Sequence, residues 1–284
     1  MAMESKTINV DSINYHYVEQ KSSEDSSEYT IVCIHGMPGS YKDFKKLIPK
    51  LAEKNRVIAV DVPGFGDSDK PLGVNYGFKG TGERLLKFME ALDLKRVIVV
   101  GHSFGGGFSQ YVAAHGGSRV VGLLLICSIG PTPHMTYKQL IKPARLIKKT
   151  ENSNFITSMW AFAFRPFVKL SPFPVSVVKE NAAMMAVVNT LVDTDFDELE
   201  QADRNISVPV VLITAKRDKM IYPWIADKLE KTIPALKRIT VDTSSHFLQF
   251  THIDDVLGAL GELMDSLPAV SSTSDTEKLA TDSV

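Results

Sequence analysis

This chain lacks the features that would place it in several common classes. It has only two cysteines, Cys33 and Cys127, each inside an apolar run. A disulfide framework is therefore not expected, and both read as buried free thiols. The charge leans to neither sign, with 32 basic and 33 acidic residues. Nothing in that balance provides a basic face, so no nucleic-acid partner is expected. No apolar run approaches the length of a bilayer span, so no integral membrane segment is expected. The longest run, Val120–Ile129, reads as a buried strand. The first residues, Met1-Ala-Met-Glu-Ser-Lys6, are polar and hold no signal-peptide core, which makes the cytoplasm the expected compartment. Gly105-Gly-Gly107 fails as a dinucleotide fingerprint because Gln110 stands where the third glycine belongs. There is no Gly-x-x-x-x-Gly-Lys phosphate loop and no His/Cys cluster with metal spacing, so neither cofactor nor metal is expected.

What is present centres on Ser103. The run Val97-Ile-Val-Val-Gly-His-Ser-Phe-Gly105 carries an apolar strand straight into Gly-x-Ser-x-Gly, and a helix-compatible stretch follows. That context predicts a nucleophile elbow, with the serine on a tight strand-to-helix turn. A β-carbon at Gly101 or Gly105 would collide with the neighbouring strand or helix. The helix start behind Ser103 adds backbone N–H groups suited to a developing oxyanion.

The rest of the chain alternates strands and helices. Lys6–Val10 and Ile13–Val18 read as a hairpin, followed by a polar, serine-rich loop over 21–28. Tyr29–Ile34, Arg56–Val60, the elbow strand and Arg119–Ile129 read as buried strands. Helices are expected at about Asp43–Lys54, with Ser40 as cap, and at Gly80–Leu92. After Gly130 the strand signal stops until Val208–Thr214, a helix near Tyr222–Thr232, the strand Lys237–Val241 and a helix near Asp254–Ser266. This predicts an α/β fold with a mostly parallel sheet covered on both faces. The expected division is a core over 1–129 and 206–267, a helical cap insertion over 130–205, and a disordered tail over 268–284.

A serine hydroxyl needs a base, and the base needs an acid to hold its tautomer. In the elbow-bearing fold these follow in the order Ser, Asp or Glu, His. Asp218 lies just past the strand Val208–Thr214, and His246 just past Lys237–Val241. Both fall at the sheet edge where open α/β sheets build their sites. Asp242 is nearer to His246 in sequence and is the alternative acid. Of the seven histidines, His246 is the one that follows both the serine and a strand end. The loop His35-Gly36-Met37-Pro38 would supply the Met37 amide to an oxyanion hole completed by the amide of Phe104. The side chains of Met37 and Phe104 would then line the pocket, with His35, Gly36 and His102 beside them. In the insertion, Trp160, Phe162, Phe164 and Phe167 read either as an apolar acyl-binding wall or as packing within the cap.

His35-Gly-Met-Pro, Asp61-Val-Pro-Gly-Phe-Gly-Asp-Ser, Gly101-His-Ser-Phe-Gly-Gly106, Asp218 and His246, in that order, resemble the α/β-hydrolase superfamily of the cap-bearing type. The His-Gly-x-Pro loop is similar to that of epoxide hydrolases and haloalkane dehalogenases. Those use an aspartate nucleophile at the elbow, and Ser103 departs from them. The resemblance implies a serine hydrolase cleaving an ester, thioester or related acyl bond of a small substrate, with Ser103, His246 and Asp218 as triad. A lyase or carbon–carbon bond hydrolase with the same triad, and a non-catalytic receptor for a small ligand, are the alternatives it leaves open.

Overall fold

Strands made almost wholly of apolar, often β-branched residues must be covered on both faces. Thr30–Ile34, Val97–His102 and Val210–Ala215 are buried along their whole length. The computed structural model describes residues 2–22, 28–151, 153–169 and 180–267, and the side chains of 135, 136, 154, 161 and 164–169 lie outside that description. The expected tail over 268–284 and most of the serine-rich loop lie outside the described residues.

Among the described residues, eight strands form one sheet: β1 (Glu4–Val10), β2 (Ile13–Gln20), β3 (Thr30–Ile34), β4 (Arg56–Val60), β5 (Val97–His102), β6 (Val120–Ile126), β7 (Val210–Ala215) and β8 (Leu236–Val241). Their order is β1-β2-β4-β3-β5-β6-β7-β8. The β1–β2 hairpin is antiparallel and joins β4 antiparallel, and every later pairing is parallel. The helices are α1 (Ile48–Leu51), α2 (Phe78–Ala91), α3 (Phe104–His115), α4 (Met135–Lys148), α5 (Asn154–Lys169), α6 (Asn181–Asp193), α7 (Phe196–Arg204), α8 (Pro223–Thr232), α9 (Leu248–Thr251) and α10 (Ile253–Asp265).

The period of two along each strand divides the core. Val32, Ile34, Val97 and Val99 pack with Phe78, Phe88, Phe108 and Leu229 on one face. Ile31, Cys33, Ile98 and Val100 pack with Leu47, Ile48, Leu260 and Leu263 on the other. The chain has the α/β-hydrolase fold.

Two expectations need adjusting. The helix predicted over Asp43–Lys54 is a 3₁₀ turn at Tyr41–Phe44 followed by the four-residue α1. Pro49 falls in the first turn of α1, where its missing N–H costs nothing, but its ring forbids a continuous helix through Lys45. Ser40 does cap, accepting from the Lys42 amide at 3.3 Å, but it caps the 3₁₀ turn. Between β6 and β7 the insertion carries α4 to α7. Its α6 is buried on nearly all sides, as a helix that is apolar all round must be. Asp193 at the end of α6 ties the insertion to the core, accepting from the Tyr76 amide at 3.0 Å and from Lys148 at 2.5 Å.

Candidate active site

The elbow forms where the sequence requires it. Ser103 has φ 54° and ψ −121°, a conformation disfavoured for any residue with a side chain. It is bolted in place by β6, whose Ile126 carbonyl accepts the Ser103 amide at 3.0 Å. The Ser103 carbonyl in turn accepts from Ile129 at 3.1 Å and from Gly106 at 3.0 Å. A β-carbon on Gly101 would lie 2.2 Å from Ser109 Oγ, and one on Gly105 would lie 2.2 Å from the His35 carbonyl oxygen. Larger residues at these places would push the strand, the helix and the His35 loop apart.

Parallel strands bring distant loops to one edge. The loops after β7 and β8 meet there, and the exposed Arg217–Asp242 ion pair bridges them. Asp218 Oδ2 lies 2.7 Å from His246 Nδ1. Asp218 Oδ1 accepts from the amides of Met220 at 2.8 Å and Ile221 at 3.0 Å. Burial works against the Asp218 carboxylate, but the hydrogen bonds from His246 and the two amides outweigh it and hold its pKa below the ordinary value. An ionised Asp218 accepts from Nδ1–H, which leaves Nε2 as the free base. His246 Nε2 is buried and has no hydrogen-bond partner. The alternative acid, Asp242, is engaged by Arg217 instead.

His102 Nε2 lies 3.1 Å from the His246 carbonyl and so donates to it. Burial, then the neighbouring His246, pushes the His102 pKa well below its ordinary value, so this ring is neutral beside His246. Behind the pair, burial and then the Asp218 carboxylate push the Cys127 thiol well above its usual range.

Ser103, His246, His102, Gly36 and Met37 all line one cavity of about 480 Å³. The position of a Gly36 β-carbon is 3.1 Å from Ser103 Cβ, so the loop that carries the Met37 amide runs directly beside the serine. Phe104 opens α3, and a first-turn amide has no carbonyl partner inside its own helix. Phe65, Met220 and Phe247 add apolar wall that the sequence reading missed. Phe65 arrives through Asp61, which accepts from the amides of Tyr41 at 2.6 Å and Asp67 at 2.9 Å and pairs with His16 at 2.8 Å, fixing the loop after β4. The string Asp61-Val-Pro-Gly-Phe-Gly-Asp-Ser was the available signal. Exposed Lys42, Asp67 and Glu180 mark the solvent end of the cavity.

A family model described as alpha/beta hydrolase fold matches residues 29–157. An uncharacterised hydrolase of Bacillus subtilis is 33% identical over 121 residues, covering 43% of this chain and 43% of that protein. The 2-hydroxy-6-oxo-2,4-heptadienoate hydrolase of Pseudomonas putida is 36% identical over 109 residues, covering 37% of this chain and 40% of that protein. The crystal structure of a haloalkane dehalogenase from Agrobacterium tumefaciens has a TM-score of 0.73 and 20% identity, covering 93% of this chain and 97% of that one. Residues 29–157 are thus similar to the alpha/beta hydrolase family, and the chain shares the fold of that solved structure. The chain's aligned stretch spans less than half the length of either curated relative.

Three expected side-chain placements differ from the observed ones. His35 does not line the cavity: it is buried, with Nε2 accepting from the Val62 amide at 3.0 Å and Nδ1 donating to the Gly36 carbonyl at 2.8 Å. Both ring nitrogens are thus spent on shaping the loop. The Phe104 ring turns into the core and stacks on Phe78 at 5.5 Å between centroids. Of the aromatic stripe, Trp160 packs against the main apolar cluster and Phe162 is 70% exposed, and neither lines the cavity. The side chains of Phe164 and Phe167 lie outside the described residues.

Proposed function

We propose that the chain is a serine hydrolase acting on an ester, thioester or related acyl bond of a small substrate. The observation that carries this reading is the strained Ser103 sharing one cavity with His246, whose Nε2 is unpartnered while its Nδ1 is held by Asp218. Ser103 Oγ attacks the carbonyl, and His246 Nε2 takes its proton. Asp218 stabilises the imidazolium that forms. The oxyanion is received by the amides of Met37 and Phe104 as preorganised donors. His246 then protonates the leaving group, and water releases the acyl-enzyme by the same route. Neutral His102 places no second positive charge beside the imidazolium.

The acyl group packs on Met37, Phe65, Met220 and Phe247 in this reading. A cavity of about 480 Å³ fits a small molecule. Ala183 on α6 is part of its wall, so the insertion acts as a cap that limits substrate length.

The partial match to the Pseudomonas putida hydrolase favours a second reading, carbon–carbon bond hydrolysis by the same residues. One experiment tests both. Separate samples of wild type and Ser103→Ala are either labelled with a fluorophosphonate or assayed, unlabelled, on p-nitrophenyl esters of increasing chain length and on 2-hydroxy-6-oxo-2,4-heptadienoate. Labelling and turnover that vanish in Ser103→Ala support the serine mechanism. Turnover of the dienoate with none of the esters selects the second reading. An unlabelled, inactive wild type points to a ligand-binding pocket.

A further inference from the structure

Three metal-ligand side chains from three strand ends meet behind the cavity. Cys127 follows β6, Asp218 follows β7 and His246 follows β8. One ligand atom of each lies within 4.8 Å of the other two, and all three residues are buried. Their separation in sequence hides this cluster from any spacing rule. We propose that Cys127, Asp218 and His246 form an inhibitory site for a thiophilic divalent cation such as Zn²⁺ or Cd²⁺.

The donor set fits such an ion. Thiolate, imidazole and carboxylate are the usual ligands of zinc, and three protein ligands leave a fourth position for water. Bonds of about 2.3 Å to sulfur and about 2.0 Å to nitrogen and oxygen put ligand atoms roughly 3.3–3.6 Å apart around a tetrahedral ion. His246 Nδ1 and Asp218 Oδ2, now 2.7 Å apart, need to part by about 0.6 Å. The sulfur closes in from its present range.

The charge also fits. Without metal the trio holds one carboxylate, one neutral thiol and one neutral imidazole. With metal it holds a carboxylate, a thiolate and a divalent cation, which sum to zero. A neutral ensemble is what a buried site tolerates best. The protons balance: the thiol proton leaves to solvent, and the imidazole proton moves from Nδ1 to Nε2 as the metal takes Nδ1. An Nε2 that carries a proton accepts none from Ser103. This inhibitory consequence rests on the serine mechanism proposed above, whereas the site itself does not.

Among the described residues one other cluster of potential ligands occurs, His16, Asp61 and Asp67. It holds no thiol, and the Asp61 oxygens are already taken by two amides and His16. Cys33, the second thiol, is buried in β3 and belongs to no such cluster.

The test uses Cd²⁺ on the full chain carrying Ser103→Ala, which keeps all three ligands. One Cd²⁺ per chain is expected to produce an ultraviolet cadmium–thiolate charge-transfer band. The band should survive Cys33→Ser and disappear in Cys127→Ser. His246→Gln should weaken binding by about 100-fold or more, beyond the 10–100-fold typical of losing an outer-shell partner. That second variant serves if Cys127→Ser does not fold. In wild type, Zn²⁺ at saturation should stop fluorophosphonate labelling of Ser103, and in Cys127→Ser the same block should need about 100-fold more metal. No band at stoichiometric Cd²⁺, or a band that survives Cys127→Ser, overturns the site. A band at Cys127 with undiminished labelling of Ser103 overturns its inhibitory role. A metal-free wild type that is never labelled overturns the serine mechanism, and the band alone then decides whether the site exists.

Discussion

Replacing Asp218 by Asn isolates one hydrogen bond. The substitution keeps size and shape. Asp218 Oδ1 receives the amides of Met220 and Ile221, at 2.8 and 3.0 Å. Two donors on one oxygen fix the orientation of the new carboxamide, because its NH₂ group cannot face them. The NH₂ group must therefore point at His246 Nδ1, where Oδ2 now accepts at 2.7 Å. Nδ1 becomes the acceptor, and the imidazole proton moves to Nε2. A protonated Nε2 cannot take the proton of Ser103.

The wrong tautomer of such a histidine lowers kcat by about 10⁴, or about 5.5 kcal/mol of barrier. The fold should hardly notice, since both amide donors keep their acceptor. The assay is kcat on p-nitrophenyl acetate together with the melting temperature of the same preparation. Asp242→Asn is the control. It removes an exposed ion pair with Arg217, worth less than about 1 kcal/mol, and should leave kcat alone. If Asp218→Asn keeps kcat within tenfold of wild type, the tautomer argument fails. If Asp242→Asn is the inactive variant, the acid has been misassigned.

Ser103→Gly should abolish turnover yet raise unfolding free energy by about 1–3 kcal/mol, because glycine accepts the φ of 54° without strain; a loss of stability in urea titration would contradict a strained elbow. Asp203 is fully buried with neither carboxylate oxygen partnered, and burial, then nearby Glu200, raises its pKa well above the ordinary value. The unfolded chain ionises this group above about pH 4 while the folded chain keeps the proton, so folded-state stability falls as pH rises from there to the raised value. Asp203→Asn cannot ionise and should gain on wild type with rising pH; a stability gap that is flat from pH 5 to 8 refutes this. Asp61→Ala strips the acceptor from the Tyr41 and Asp67 amides and from His16, and should cost about 3 kcal/mol or more in stability while impairing the Phe65 wall; a melting temperature equal to wild type would show that the loop after β4 is held by something else.

Most of the sheet was legible because its strands obey two simple rules together. Runs such as Val97–Val100 are apolar at every position, which only a strand covered on both faces tolerates. Three of these runs stop at His35, Asp61 and Gly101. The pairing of His246 with Asp218 rather than Asp242 followed from strand order, not from nearness in sequence. Less legible were features that depend on where a ring points. His35 and Phe104 both occur in the right loops, yet hydrogen bonds claim the first and Phe78 claims the second. Their backbones, which the motif does specify, still run beside Ser103.

The insertion was legible as an interruption but not as a wall. In the sheet, an apolar residue's side follows from the parity of its position, since neighbours alternate between two covered faces. In α5 no such constraint acts, because the helix presents one side to the core and another to solvent. Trp160 and Phe162 are two residues apart, about 200° around a helix, so one stripe of aromatics in the sequence becomes two faces in space. Trp160 turns to the core and Phe162 to solvent. The apolar wall of the cavity comes instead from single residues on separate elements: Met37 beside the elbow, Phe65 after β4, Met220 after β7 and Phe247 after β8. Each lies within three residues of an expected site residue or inside a quoted motif. Substrate preference in this fold is therefore better sought in residues flanking the motifs than in the aromatic content of the insertion.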